Sequence, residues 1–183
     1  MNNRISLPGV RSPGVGFDQP FEMLDACHDR VRLSLKLLAD LRRYLGEKGC
    51  DDSARQAARD VLRYFDVAAP LHHEDEELHI FPALKMRCAG DARIQSLVRQ
   101  LEQDHEEMHQ FWNPVVREAL LALADGSQSG FTPGQEASFD VFEQRYARHM
   151  QLEDEIAYPQ ARAVVDEREQ QAMGREMAAR RRG

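Results

Sequence analysis

The sequence predicts an all-α protein: an up-down-up-down antiparallel four-helix bundle with an N-terminal arm and a C-terminal helical extension. Three observations predict it. Apolar residues recur every three or four positions over long stretches, without the two-residue alternation of strands. These stretches are separated by short connections containing Gly, Asp and Pro, which makes successive helices antiparallel neighbours. The 183 residues are 42% apolar and 30% charged, enough for one core beneath a solvated surface.

Residues 1–20 form the arm, because Pro8, Pro13, Pro20, Gly9, Gly14 and Gly16 are too many breakers for a helix. From about Phe21 the series Met23, Leu24, Val31, Leu35, Leu38, Leu41 and Leu45 marks a first helix, which Gly46 and Gly49 stop. Asp51, Asp52 and Ser53 offer N-caps to a second helix reaching about Cys88, with bends or interruptions expected at Pro70 and Pro82. A turn at Gly90 and Asp91 leads to a third helix, from about Ala92 to Ala124, with a kink expected at Pro114. Thr132 as N-cap and Pro133 as first helical residue open a fourth helix to about Pro159. The bundle is assigned to residues 21–165, and residues 166–183 to a helical extension with a basic end.

Charge and hydropathy narrow the function. A net charge of −7 leaves no basic face of the kind that displaces counterions from phosphates, so no nucleic-acid partner is expected. Arg180, Arg181 and Arg182 are read as cations favoured at a helix C-terminus. The longest strictly apolar run, Ala119 to Ala124, is far below the roughly 20 residues of a membrane helix, so no membrane segment is expected. No apolar stretch of signal-peptide length stands near the start, which makes the cytoplasm the expected compartment. Cys27, Cys50 and Cys88 are an odd set without CxxC spacing and read as reduced thiols in buried or surface positions.

The chemistry lies in an internal repeat. At an offset of 77 residues His28 falls on His105, His72 on His149, Glu76 on Glu153 and Pro82 on Pro159. Glu77 then meets Asp154, Phe81 meets Tyr158, and HHEDEELHIFP lies over HMQLEDEIAYP without a gap. His28 to His72 and His105 to His149 are each 44 residues, one long helix and back, so two hairpins can bring four histidines to one level. Residues four apart on a helix differ by about 40° in direction and about 6 Å in rise, so His72 with Glu76 and His149 with Glu153 each make an inward pair. His105 and His109 share that spacing and can present two imidazoles to one metal.

Lone histidines are commonly hydrogen-bonded core residues, and acidic runs such as EDEE are commonly solvated. Agreement of four histidines and two glutamates in phase argues otherwise, because so many polar groups in a bundle centre are costly unless something pairs them. Five imidazoles and at least two carboxylates, with no thiolate in register, are too many for one tetrahedral zinc. The set suits two iron or manganese ions with open positions, iron being the first choice and manganese or zinc the alternatives.

CHDRV around His28, HHEDEELHIFP around His72, DHEEMH around His105 and HMQLEDEIAYP around His149 resemble the hemerythrin family, in particular bacterial proteins with the HHE cation-binding domain. The resemblance covers about residues 21 to 165. It implies that His28 and His72 bind one iron, and His105, His109 and His149 the other. Glu76 and a carboxylate after His149 would bridge them, along with an oxo or hydroxo group. Hemerythrins proper take that last carboxylate five residues after the histidine, which selects Asp154, whereas the repeat selects Glu153; the repeat is preferred. His73 with Glu77 repeats the spacing of His72 with Glu76 but is turned by about 100°. Only one pair is expected to face inward, and the repeat favours His72, since His73 falls on Met150. His79 is expected in the surroundings or at the surface, and Tyr146, Phe111 and Trp112 in the core.

Three functions follow. The first is binding or sensing of a small diatomic ligand, oxygen or nitric oxide, or of iron itself. Its histidine-rich set, in the order His-x-x-x-Glu, contrasts with the Glu-x-x-His of carboxylate-rich bundles. The second is an enzyme that handles peroxide or nitric oxide in stress protection, and the third a metal-stabilised interaction domain. No nucleophile or further cofactor motif selects a reaction.

Overall fold

The computed structural model describes residues 16–182, so most of the expected arm lies outside the described residues. Helix α1, Pro20–Lys48, starts with its proline in the first turn, where the missing N–H costs nothing, and stops at Gly49 with φ 77°. Helix α2 covers residues 52–87 and is capped by Asp51, whose carboxylate accepts from the Ala54 N–H. Helix α3 covers residues 92–125, capped by Asp91 and ended by Gly126 at φ 84°. Helix α4 covers residues 133–164 and begins with a capping box between Thr132 and Gln135. A second capping box, Asp166 with Glu169, opens α5, Glu167–Arg180. The described residues contain no strand. Helices α1 to α4 pack as consecutive antiparallel neighbours, with α1 also against α4.

The bundle prolines neither break nor sharply interrupt their helices. Each lies in or just after one turn of π-helix: Tyr64–Ala68 before Pro70, Glu76–Ile80 before Pro82, Trp112–Arg117 around Pro114, and Glu153–Ala157 before Pro159. A proline cannot donate to the carbonyl four residues back, and its ring collides with that carbonyl. The widened turn resolves both. Ala69, Phe81 and Tyr158, each directly before a proline, donate five residues back, to Tyr64, Glu76 and Glu153. Two of these turns therefore begin on the glutamates that the repeat pairs.

The interior is divided. One apolar cluster contains Leu38, Leu41, Val61, Phe65, Trp112, Leu120, Phe139, Phe142 and Tyr146. The other contains Phe21, Leu24, Ile80, Phe81, Val98, Leu101 and Tyr158, completed by Met173 and Met177 of α5. Helix α5 thus finishes one end of the bundle. The basic end of α5 turns out to be an ion-pair clamp: Arg180 Nε donates at 3.1 Å and Arg181 Nη2 at 2.6 Å to the carboxylate of Asp75, which is fully buried. Arg180 also donates to His79 Nε2 at 3.0 Å, which fixes that histidine on α5.

Gly174 lets α5 meet the chain just before α1. A Cβ there would stand 1.8 Å from the Phe17 carbonyl oxygen, a backbone atom that cannot swing away. Helix propensity alone makes Gly174→Ala stabilising by about 0.5–1 kcal/mol. The packing reverses the sign: we expect a loss of about 2 kcal/mol, read as a fall of roughly 4–8 °C in Tm by calorimetry. An unchanged or raised Tm would show that α5 is not seated there.

Candidate metal centre

Between the two apolar clusters lies a layer of buried polar groups: His28 from α1, His72 and Glu76 from α2, His105 from α3, and His149 and Glu153 from α4, all at most 4% exposed. Each is fixed by its place on a rigid helix. The carboxylates sit centrally. Glu76 lies 3.9 Å from His28 Nε2, 3.6 Å from His72 Nε2 and 3.4 Å from His105 Nε2. Glu153 lies 3.1 Å from both His28 Nε2 and His149 Nε2, and 3.9 Å from His105 Nε2. Two groups result, His28, His72, Glu76, Glu153 and Glu76, His105, His149, Glu153, each with its donor atoms within 4.8 Å of one another and both sharing the two glutamates.

His73 joins the second side. It forms a third group with His105 and His149, and its ring stacks on that of His105 at 4.0 Å between centroids. The expectation that only one of His72 and His73 faces inward fails for a geometric reason. The layer is elongated, so two consecutive residues 100° apart straddle the inward direction and serve its two ends. The repeat did carry the signal: the counterpart of His73, Met150, is itself buried, which marks the position as interior.

His109 goes the other way. It is exposed and contacts Asn113, on its own helix, at 3.3 Å. The buried stripe of α3 runs Leu101, His105, Met108, Trp112, in alternating steps of four and three. After His105 the next inward position is therefore Met108, and His109 is left about 100° off it. His109 stands instead at a surface groove of about 650 Å³, with Glu74, Glu77 and Glu106, that reaches inward to His73 and His105.

Outward-facing carboxylates set the imidazoles. His28 Nδ1 donates to Asp154 at 2.7 Å, and His105 Nδ1 donates to Glu77 at 2.8 Å. Asp154 and Glu77 are partners in the repeat, so each hairpin braces a histidine of the other. Donation from Nδ1 leaves the Nε2 lone pair facing the centre, where a cation would use it. Asp154 is thus placed behind His28 and Glu153 inside the layer. Asp104 lies 3.5 Å from His149 Nδ1. The equivalent residue beside His28 is Cys27, a buried thiol whose pKa burial pushes up to about 11, and His72 Nδ1 has no hydrogen-bond partner.

The charges of the layer fit a cation. Both oxygens of Glu153 and Oε2 of Glu76 are buried without hydrogen bonds, and His105 Nε2 and His149 Nε2 face each other at 3.0 Å. Burial opposes a charged His28, yet the hydrogen bond to Asp154 and the charges of Glu153 and Glu76 push its pKa up to about 9. Against burial, the charge of Glu153 and the Asp104 carboxylate nearby push His149 up to about 10. His72, without such a partner, is held down to about 3 by burial. Glu153 is held low, against burial, by His149 and His28. A buried charge costs several kcal/mol unless compensated, and a metal ion compensates several donors at once.

Fold and layer together define a helical bundle with histidines and carboxylates placed to hold a metal cation. Comparison with known proteins makes this specific: the model of the hemerythrin HHE cation-binding domain matches residues 19–161, and the chain belongs to that family. A protein of Haemophilus influenzae described only as an uncharacterized protein is 32% identical over 165 residues, which cover 90% of this chain and 91% of the relative. No helix among the described residues is long and apolar enough to cross a membrane.

Asp154→Ala removes the partner of His28 Nδ1 from a partly exposed position, so the fold should persist. Loss of such an outer partner typically costs 10- to 100-fold in metal affinity. Competition with a chromophoric chelator should report a loss in that range; an unchanged affinity would show that His28 needs no brace.

Proposed function

We propose that the chain holds two iron ions side by side in the polar layer and uses them to bind a small diatomic molecule, oxygen or nitric oxide. The observation that carries this reading is the pair of donor groups that share Glu76 and Glu153. Glu76 and Glu153 would be shared by the two ions; His28 and His72 would hold one, and His73, His105 and His149 the other. His73 here takes the place expected of His109. When bound, the irons supply reversible electron donation to the diatomic ligand.

The protein's own part is orientation and exclusion. Asp154 and Glu77 hold two imidazoles in one tautomer. Phe65, Phe142 and Tyr146 on one side, and Phe81 and Leu101 on the other, keep bulk water from the layer. The end with two imidazoles has one protein donor fewer than its neighbour and is the side on which a small ligand fits. Manganese or zinc could satisfy the same donors, so identity is read from the spectrum of the iron-loaded protein.

Anaerobic loading with ferrous iron should give a ratio near two per chain. His73→Ala should lower it toward one, and His109→Ala should leave two. The opposite pattern, iron lost with His109 and kept without His73, would sink the assignment. Stripping the metal should cost about 4 kcal/mol if the free ion stood at about 1,000 times Kd, a fall of roughly 8–16 °C in Tm. Equal melting curves with and without a chelator would contradict occupation of this layer. Exposure to oxygen should give a stable, reversible spectral change, whereas continuous peroxide consumption would point to catalysis.

A further inference from the structure

The repeat is broken beside the layer, and the breaks fall on opposite sides. Next to His105 stands Phe81, its ring 5.4 Å from the imidazole. Its counterpart next to His28 is Tyr158, which stacks on that imidazole at 5.1 Å with the planes 14° apart. The two rings do the same packing work, and both are at most 1% exposed. Tyr158 differs by its hydroxyl, which donates to Glu76 Oε1 and lies 3.1 Å from His28 Nε2. Among the described residues it is the only side-chain hydroxyl hydrogen-bonded to a member of the layer. The other break is His73 against Met150, which adds an imidazole on the far side.

From these placements we infer that Tyr158 is a specificity-determining residue: its O–H is the hydrogen-bond donor for a small anionic or electron-rich ligand taken up on the His28–His72 side. The inference rests on the two-cation reading of the layer and deepens it. One half of the repeat spends its extra residue on a third imidazole, the other on a neutral donor. Around His28 and His72 the other polar groups include carboxylates, which repel an anion, imidazoles, whose inward nitrogens are committed, and the Cys27 thiol, a weak donor. A ligand that gains negative charge on binding needs a donor in this dry setting, and Tyr158 offers one. An ordinary phenol keeps its proton at neutral pH, so it can donate. Its one proton rests on Glu76 Oε1, which holds that carboxylate in place, and the O–H turns from Glu76 to the ligand when one is taken up.

The test uses azide on the iron-loaded full chain, with Tyr158→Phe and, as a control, Tyr146→Phe. Tyr146 lies among Phe65 and Phe142, its ring 6.1 Å from that of His73 on the far side. Tyr158→Phe reproduces the ring that the other half already carries, so it should fold and keep two irons. One hydrogen bond to a charged partner corresponds to a loss of azide affinity of roughly 10- to 100-fold. The infrared stretch of bound azide should shift between H₂O and D₂O in the unsubstituted protein and in Tyr146→Phe, but not in Tyr158→Phe. Azide affinity within threefold of the unsubstituted protein, with two irons and an unchanged isotope shift, would reduce Tyr158 to packing and overturn the inference alone. Loss of iron from Tyr158→Phe would make the phenol part of the iron-holding set and overturn it as well. An unsubstituted chain that takes up no iron would overturn the two-cation reading and this inference with it.

Discussion

Two carboxylates buried in the middle of an apolar bundle, with three of their four oxygens lacking a hydrogen-bond donor, are the constraint from which the rest of the structure follows. Glu153 has both oxygens unsatisfied and Glu76 one, at full burial. Neither could be held there without compensation, since an uncompensated buried charge costs several kcal/mol against a total stability of only about 5–15 kcal/mol. The compensation comes from all four bundle helices, each of which delivers at least one imidazole. The two apolar clusters on either side then act as walls, and helix α5 closes the end of one of them.

The arrangement of helices serves this layer with little waste. Because the two hairpins are variants of one unit, Glu77 and Asp154 brace each other's histidines across the pseudo-symmetry. The π turns that accommodate Pro82 and Pro159 begin at Glu76 and Glu153, so the widened turn follows directly on the residues that must reach the centre. Among the departures from the symmetry, three stand beside the layer: Cys27, His73 and Tyr158. They give the two ends of the layer different chemistry: more imidazole at one, a hydroxyl and a buried thiol at the other.

Much of this is legible in the sequence. Periodicity and turn residues marked the bundle, and the 77-residue offset marked six residues that the fold gathers into one layer. What the sequence concealed were matters of rotation. A four-residue spacing puts His109 near the face of His105, but whether the stripe continues by four or by three is decided by packing, and Met108 takes the interior place. The repeat assigns His73 away from the layer because its counterpart is Met150, although a buried apolar counterpart argues for an interior position. The prolines read as bends or interruptions because a local rule states what proline forbids, not how a continuous helix can absorb it. The arginines at the chain end gave no sign of Asp75, a partner more than a hundred residues away.

The central claim is that two iron ions lie between Glu76 and Glu153, with His73 rather than His109 on the three-imidazole side. Anomalous diffraction at the iron edge from crystals of the iron-loaded protein addresses it directly. The account predicts two peaks of comparable height inside the polar layer, both next to the two glutamates and one of them against His73. A single peak, or a peak against His109 at the surface groove, would contradict it.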